Sequence, residues 1–251
     1  MITLETRHLG KSFDGLQAVH DLDIGFEHGK ITAIIGPNGA GKTTAFNIIS
    51  GFLRADKGQV LCRGRDISEL PAFQIARLGV GRLFQDVRVF PQLTALENVL
   101  CAFPQHRDEC PISSLLLRRR IVTAEREHRA RAMELLGFVG LETNTHDLAD
   151  NLSFGQQKLL AIARLLALEA EILLLDEPTA GVNPEMVSRL LVLIRQLAAR
   201  GKTIAVIEHN MNVVSSIADF AYFMNEGEVF MVGSPSDVLS DPEVRSLYVG
   251  L

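Results

Sequence analysis

No stretch of this 251-residue chain offers the roughly 18 consecutive apolar residues that a membrane-crossing helix needs. The best candidate, Leu159 to Ala170, is too short and carries Arg164. The opening Met1-Ile2-Thr3-Leu4-Glu5 turns charged before an apolar core could build, so no secretory signal is expected. Positive charge is not in excess: 25 Lys and Arg against 30 Asp and Glu leave a net charge of −5. That balance gives no support to a nucleic-acid partner. The three cysteines, Cys62, Cys101 and Cys110, are an odd number without metal-ligand spacing. Free thiols in a reducing compartment are the plain reading. Sustained heptads are missing too, which disfavours a long coiled coil. What remains, 47% hydrophobic and 22% charged residues, suits one large α/β domain or a domain with a subdomain.

The strongest local signal is Gly36-Pro37-Asn38-Gly39-Ala40-Gly41-Lys42-Thr43-Thr44, which fits the phosphate-binding pattern G-x-x-x-x-G-K-S/T. Lys30 to Ile35 before it reads as a buried strand. Thr43 to Ser50 after it reads as a helix with Gly51 at C′. Glycines 36, 39 and 41 let backbone N–H groups turn around a phosphate without a Cβ in the way. The helix points its positive N-terminal end at the same anion. Lys42 adds a cation for the β- and γ-phosphates, and the Thr43 hydroxyl can ligate Mg²⁺. The chain is therefore expected to bind a nucleoside triphosphate.

Taken in order, Thr3 to Phe26 reads as two strands around Asp14-Gly15, with Phe13 beside the turn as a core or rim aromatic. Gly58 to Cys62 reads as a strand, Pro71 to Leu78 as a helix, and Val80 to Gln85 as a strand-like run ending in glutamine. From Thr94 to about Ala149 the character turns helical, beginning with a cap at Thr94 and Glu97. Ser114 to Leu136 is expected to be a helix closing before Gly137. Its arginines 118, 119, 120, 126, 129 and 131 read as a solvated face, or more sharply as a contact for lipid headgroups or a permease loop. A further helix is expected over Lys158 to Leu168, with Ser153 and Gly155 preceding it.

Ile172-Leu173-Leu174-Leu175 reads as a buried parallel strand, and Asp176-Glu177 sits at its C-terminal end, where ligands bind in open α/β sheets. Asp176 fits an acid that holds Mg²⁺, and Glu177 a base that orients attacking water. Pro184 to Arg200 reads as an amphipathic helix and Thr203 to Ile207 as another strand, with Glu208-His209 at its end. Asp219 to Met231 reads as one or two strands with a turn at Glu226-Gly227, and Ser236 to Leu251 as a helical tail.

These motifs, in this order, resemble the ATPase subunit of an ABC transporter, and the resemblance spans nearly the whole chain. It implies an α/β P-loop NTPase core with an antiparallel β subdomain and an α-helical subdomain. Residues 1–85 and 156–251 would form the core with its β subdomain, and 86–155 the helical subdomain. It implies ATP and Mg²⁺ as cofactors. Phe13 would stack on adenine, and Gly36 to Thr44 would hold the phosphates. Gln85 would be the Q-loop glutamine and a magnesium ligand with Thr43 and Asp176. Leu152-Ser153-Phe154-Gly155-Gln156 would be the signature, with Ser153, Gly155 and Gln156 at the nucleotide, and Ala180-Gly181-Val182-Asn183 the D-loop. Glu177, His209, Gln85 and Lys42 would form the catalytic set. Phe154 departs from the family's commoner glycine and Asn183 from its commoner aspartate. Both are similar to the branched-chain amino acid importer subfamily, as are Phe84-Gln85, Phe90-Pro91, Glu208-His209-Asn210-Met211 and Asp241 to Arg245.

As partners the resemblance implies a second ATPase subunit, identical or paralogous, two transmembrane permease subunits and, indirectly, a solute-binding protein. Its place would be the cytoplasmic face of the inner membrane, as a peripheral subunit. A lipopolysaccharide-type exporter ATPase and a non-transport ABC ATPase are the competing readings.

Overall fold

The computed structural model describes residues 1–104 and 118–249. The chain divides into two compact units. One comprises Met1–Gln85, Glu171–Ala180 and Pro184–Leu251; the other comprises Asp86–Ala170 and Gly181–Asn183.

The first unit carries every strand among the described residues: β1 Ile2–Phe13, β2 Leu16–Leu22, β3 Gly25–Glu27, β4 Ile31–Ile35, β5 Lys57–Cys62, β6 Arg65–Asp66, β7 Val80–Leu83, β8 Ile172–Asp176, β9 Thr203–Ile207, β10 Phe220–Asn225 and β11 Glu228–Gly233. They form two sheets. The larger runs β11-β10-β4-β9-β8-β7 and is parallel from β10 to β7, with β11 closing one edge as an antiparallel hairpin. All five residues of β4, β8 and β9 are buried, as expected of parallel strands covered on both faces. The smaller sheet is antiparallel, in the order β2-β1-β5-β6, with β3 also on β1. One apolar core joins Leu4, Leu22 and Phe26 from that sheet with Ile34, Leu174 and Ile207 from the larger one, around Phe46 and Ile49 of the P-loop helix Lys42–Ile49.

The N-terminal segment makes three strands where two were expected. The long β1 pairs with β2 over its second half (Leu9 opposite Leu22) and with β3 over its first (Leu4 opposite Phe26). His8 and Asp21 take positive φ (50° each), and the β1–β2 register shifts between Leu9 and Ser12. The ladder bends there, so β3 returns to the start of β1 after only a two-residue break. The tail is two short helices, Pro235–Ser240 and Pro242–Val249; residues 250 and 251 lie outside the described set.

The second unit is helical. Ala95–Leu100 begins with a capping box between Thr94 and Glu97. The long helix spans Arg118–Val139; its expected start at Ser114, and Cys110, lie outside the described residues. It runs through Gly137 and stops at Gly140, whose φ is +79°. There the Leu141 N–H bonds to the Leu136 carbonyl at 2.8 Å and the Gly140 N–H to Gly137 at 3.0 Å. The stop signal was the next glycine, three residues on. Helix Phe154–Ala167 packs against both Ala95–Leu100 and Arg118–Val139. The helical unit therefore runs to Ala170, and the expected boundary at 155/156 would have cut this helix inside its first turn. Among the described residues no helix is long and apolar enough to cross a membrane.

Candidate nucleotide site and its paired carboxylates

The P-loop leaves β4 and enters its helix through three glycines with two different reasons to be glycine. A Cβ on Gly36 (φ +147°) would stand 2.1 Å from the Met224 carbonyl oxygen, and one on Gly41 (φ +93°) 2.3 Å from that of Ala18. These two are fixed by the protein's own backbone. A Cβ on Gly39 (φ +84°) would meet nothing within 4 Å, so only conformation demands glycine at the open side of the loop. Pro37 and Asn38 make the bend, Ala40 is buried, and Asn38, Gly39 and Thr43 are exposed. Gly41 is the helix N-cap and supplies no capping side chain. The first-turn amides of Lys42, Thr43 and Thr44 have no intrahelical acceptor, which suits them to an anion.

Lys42 begins the helix, one residue earlier than expected, and is 5% exposed. Its ammonium donates to the Gly36 carbonyl at 2.8 Å and the Pro37 carbonyl at 2.7 Å. Burial holds it below the ordinary lysine value, and the Glu177 and Asp176 carboxylates offset part of that shift. The ammonium thus lies inside the P-loop, held by two of its own carbonyls.

Asp176 and Glu177 stand at the end of β8, and their surroundings separate their roles. Asp176 is 3% exposed and accepts through Oδ2 from Arg82 Nη2 at 2.8 Å. Its Oδ1 is buried with no hydrogen-bond partner. Glu177 takes positive φ (48°), a strained conformation for a non-glycine residue, with its N–H bonded to the Ile207 carbonyl of β9 at 3.0 Å. Both carboxylate oxygens are engaged: Gln85 Nε2 donates to Oε2 at 3.0 Å, and His209 Nε2 lies 2.9 Å from Oε1. Gln85, Glu177 and His209 thus come together from the ends of three adjacent strands, β7, β8 and β9.

A divalent cation fits these residues. The unpartnered Oδ1 of Asp176 is a buried acceptor that lacks a donor, the Thr43 hydroxyl is exposed at the helix start, and the Gln85 amide oxygen is not used in its bond to Glu177. Among the described residues no group of three or more His, Cys, Asp or Glu could cage a metal. Mg²⁺ needs no such cage, because it keeps waters and is commonly shared between one or two carboxylates and phosphate.

Arg82 went unnoticed in the sequence. It sits in β7 with its side chain 4% exposed, donates to Asp176, to Asn47 Oδ1 at 2.8 Å and to Ser50 Oγ at 3.0 Å, and lies 4.7 Å over the Phe84 ring. It ties Asp176 to the P-loop helix and the residue that follows it. The only local hint was a charged residue inside an apolar strand. Replacing it with methionine leaves the Asp176 charge buried without its counter-ion. The expected loss is about 3–5 kcal/mol of stability. Chemical denaturation checks it, and an unchanged midpoint would rule out a structural ion pair. Glu208, also unassigned, is 3% exposed and accepts from the Thr179 N–H at 3.0 Å and hydroxyl at 2.8 Å, so it anchors the turn after β8 to the turn after β9.

Phe13 ends β1 at 44% exposure with the Lys11 ammonium 5.6 Å from its ring centre. It is a partly exposed rim aromatic.

In the helical unit the signature helix starts at Phe154, four residues earlier than expected. Ser153 is its N-cap, accepting from the Gln156 N–H at 3.3 Å, while the Ser153 N–H donates to Gln156 Oε1 at 2.9 Å. Gly155 therefore lies inside the first turn, not before it. Gln156 also donates to Asn144 Oδ1 at 3.2 Å, so its side chain is committed to holding the cap. Phe154 lies under the buried Lys158 ammonium at 5.0 Å, and a Cβ on Gly181 would come within 3.1 Å of its ring. Arg126, Arg129 and Arg131 are exposed, and Arg131 pairs with Glu169 at 2.9 Å.

Comparison with known proteins agrees with this geometry. The family profile described as ABC transporter matches residues 19–180. The probable branched-chain amino acid transport ATP-binding protein LivG of Archaeoglobus fulgidus is 40% identical over 250 residues, covering 100% of this chain and 96% of the relative. The lipopolysaccharide export system ATP-binding protein LptB of Acidithiobacillus ferridurans is 35% identical over 247 residues, covering 98% and 96%. The crystal structure of an ABC transporter's ATP-binding cassette in its ADP conformation is 32% identical with a TM-score of 0.84, covering 100% of both chains. A P-loop on β4, two acids at the end of β8, a glutamine and a histidine on the flanking strands, and these likenesses along the full length place the chain in the ABC transporter family, as an ATP-binding cassette.

Proposed function

We propose that this chain is the ATP-hydrolysing subunit of an importer for branched-chain or other hydrophobic amino acids. The observation that carries the hydrolytic part is the Glu177 carboxylate, held at both oxygens by Gln85 and His209 beside the Mg²⁺-compatible Asp176. The likeness to LivG at 40% identity supports the amino-acid substrate, against 35% for the LptB exporter subunit.

The P-loop amides and Lys42 bind the β- and γ-phosphates, and Phe13 stacks on the adenine. Thr43, Asp176 and Gln85 would hold Mg²⁺, which supplies charge neutralisation on the phosphates. Glu177 orients the attacking water and takes its proton, and His209 keeps that carboxylate and the γ-phosphate in register. Ser153 and Gly155 act on the nucleotide of a second cassette, identical or paralogous, in a head-to-tail pair. ATP is then an interfacial ligand, and loss of the γ-phosphate contacts lets the pair reopen. Two permease subunits hold the pair at the cytoplasmic face of the membrane, and a solute-binding protein delivers the substrate.

Affinity capture of this chain from solubilised membranes, with its partners identified, tests the reading. The expected yield is two hydrophobic permease subunits and a second, similar cassette, with amino-acid uptake lost when the chain is removed. Capture of exporter components, or of ribosomal proteins without any membrane protein, would overturn the importer assignment.

A further inference from the structure

His209 is held at its imidazole by Glu177 and at its main chain from elsewhere. It lies in the three-residue turn between β9 and helix Met211–Ile217, and each residue of that turn has its own fastening. Glu208 accepts from Thr179. Asn210 caps the following helix, accepting from the Asn212 N–H at 3.0 Å and the Val213 N–H at 3.4 Å. The His209 carbonyl accepts from the Tyr248 hydroxyl at 2.7 Å. That donor comes from the helix Pro242–Val249, 39 residues away in sequence.

The tyrosine is well placed to hold a loop still. Asp241 caps its helix, accepting from the N–H groups of Glu243 at 2.9 Å and Val244 at 3.0 Å. Val244, one turn before Tyr248 on the same face, is fully buried. The half-buried Tyr248 ring stands 6.3 Å from the ring of Phe223, a fully buried residue of β10. Burial, and then the negative charges of Glu208 and Glu177, push the hydroxyl above the ordinary tyrosine value. It therefore keeps its proton to donate throughout the neutral range.

We propose that Tyr248 is a positioning residue for hydrolysis, whose hydroxyl fixes the His209 main chain and so aims the imidazole at Glu177. The C-terminal helix is then part of the catalytic arrangement and not only a packed tail. The proposal rests on the ATPase reading above. It asks nothing of nucleotide binding, because Tyr248 has no role in the P-loop grip. Its loss should therefore act on kcat and leave KM for ATP alone, the pattern of an interaction that matters during reaction.

The test compares the full-length wild type with Tyr248→Phe, Tyr248→Leu and Glu177→Gln in steady-state ATP hydrolysis, with nucleotide affinity measured separately. Phenylalanine keeps the ring against Phe223 and removes only the donor. The expected result is a kcat lowered about tenfold in Tyr248→Phe, within the hundredfold that a misplacement of about 1 Å can cause. KM and ATP affinity should stay within about twofold, a change of about 0.4 kcal/mol in binding. Tyr248→Leu, which also loses the ring, should lower the melting temperature as well. A kcat for Tyr248→Phe equal to wild type overturns the proposal. So does a parallel fall in kcat and ATP affinity, which is what a purely structural role would give. A wild-type rate no higher than that of Glu177→Gln overturns the ATPase reading and this proposal with it.

Discussion

Replacing Glu177 with glutamine should lower ATP turnover by about 10²–10⁴-fold, the range a positioned general base contributes, while ATP affinity stays at the wild-type level. The substitution is nearly isosteric, so β8 and the strained turn at Glu177 should be kept. What it changes is proton chemistry. The carboxylate accepts from Gln85 at 3.0 Å and faces His209 at 2.9 Å. An amide has one acceptor oxygen, cannot accept at both positions, and cannot take a proton from water at neutral pH. Affinity should survive because the phosphate grip belongs to Lys42 and the loop amides. Stopped turnover with tight binding should also trap the nucleotide-bound pair, visible as an ATP-dependent dimer in size-exclusion chromatography. Turnover at the wild-type rate would remove Glu177 from its assigned role.

The second large effect is expected at Lys42. Substitution with alanine removes a buried ammonium that spans the mouth of the P-loop through the Gly36 and Pro37 carbonyls. A hydrogen bond to a charged group is worth about 1.5–3 kcal/mol. Losing one to a phosphate oxygen should therefore weaken ATP binding about tenfold or more. ADP should lose less than ATP, because the ammonium serves the γ-phosphate as well as the β. Calorimetric titration with both nucleotides reads the difference. Equal affinity for wild type and variant would contradict the phosphate cradle. The alanine also leaves the Gly36 and Pro37 carbonyls without their donor, so the denaturation midpoint is the control that separates a lost grip from an unfolded chain.

The parts of this molecule that were legible beforehand are those whose information is local. The strands β4, β8 and β9 are short apolar runs because both faces are covered, and their bounds read to within one residue. The P-loop, the Asp176-Glu177 pair and the Thr94 cap each depend on residues within a few positions of one another. The capping box at Ser153 and Gln156 has the same form as that at Thr94 and Glu97, and it marks the early start of the signature helix. Other features depend on distant partners. β3 exists because β1 is long enough to pair twice on one side, which no three-residue segment announces. Gly137 looks like a helix stop, yet the chain turns at Gly140, because positive φ at the end decides the stop and not the presence of a glycine. Arg82 finds Asp176 at a separation of 94 residues, and Tyr248 finds His209 at 39. The first leaves only a charge inside an apolar strand as its mark, and the second leaves none.

The strand order sets a clock on biosynthesis. β4, which launches the P-loop, lies between β9 and β10 in the sheet and pairs with both in parallel. Both neighbours are among the last strands to be translated. At ~5–20 residues per second the ribosome needs on the order of ten seconds or more to reach them. Until then β4 is an apolar strand with two open edges, and the whole helical unit has already emerged behind it. The nucleotide pocket is thus completed late, in a single step with the closing of the sheet. An unfinished chain that lacks β9 and β10 therefore has the P-loop sequence without the sheet that frames it.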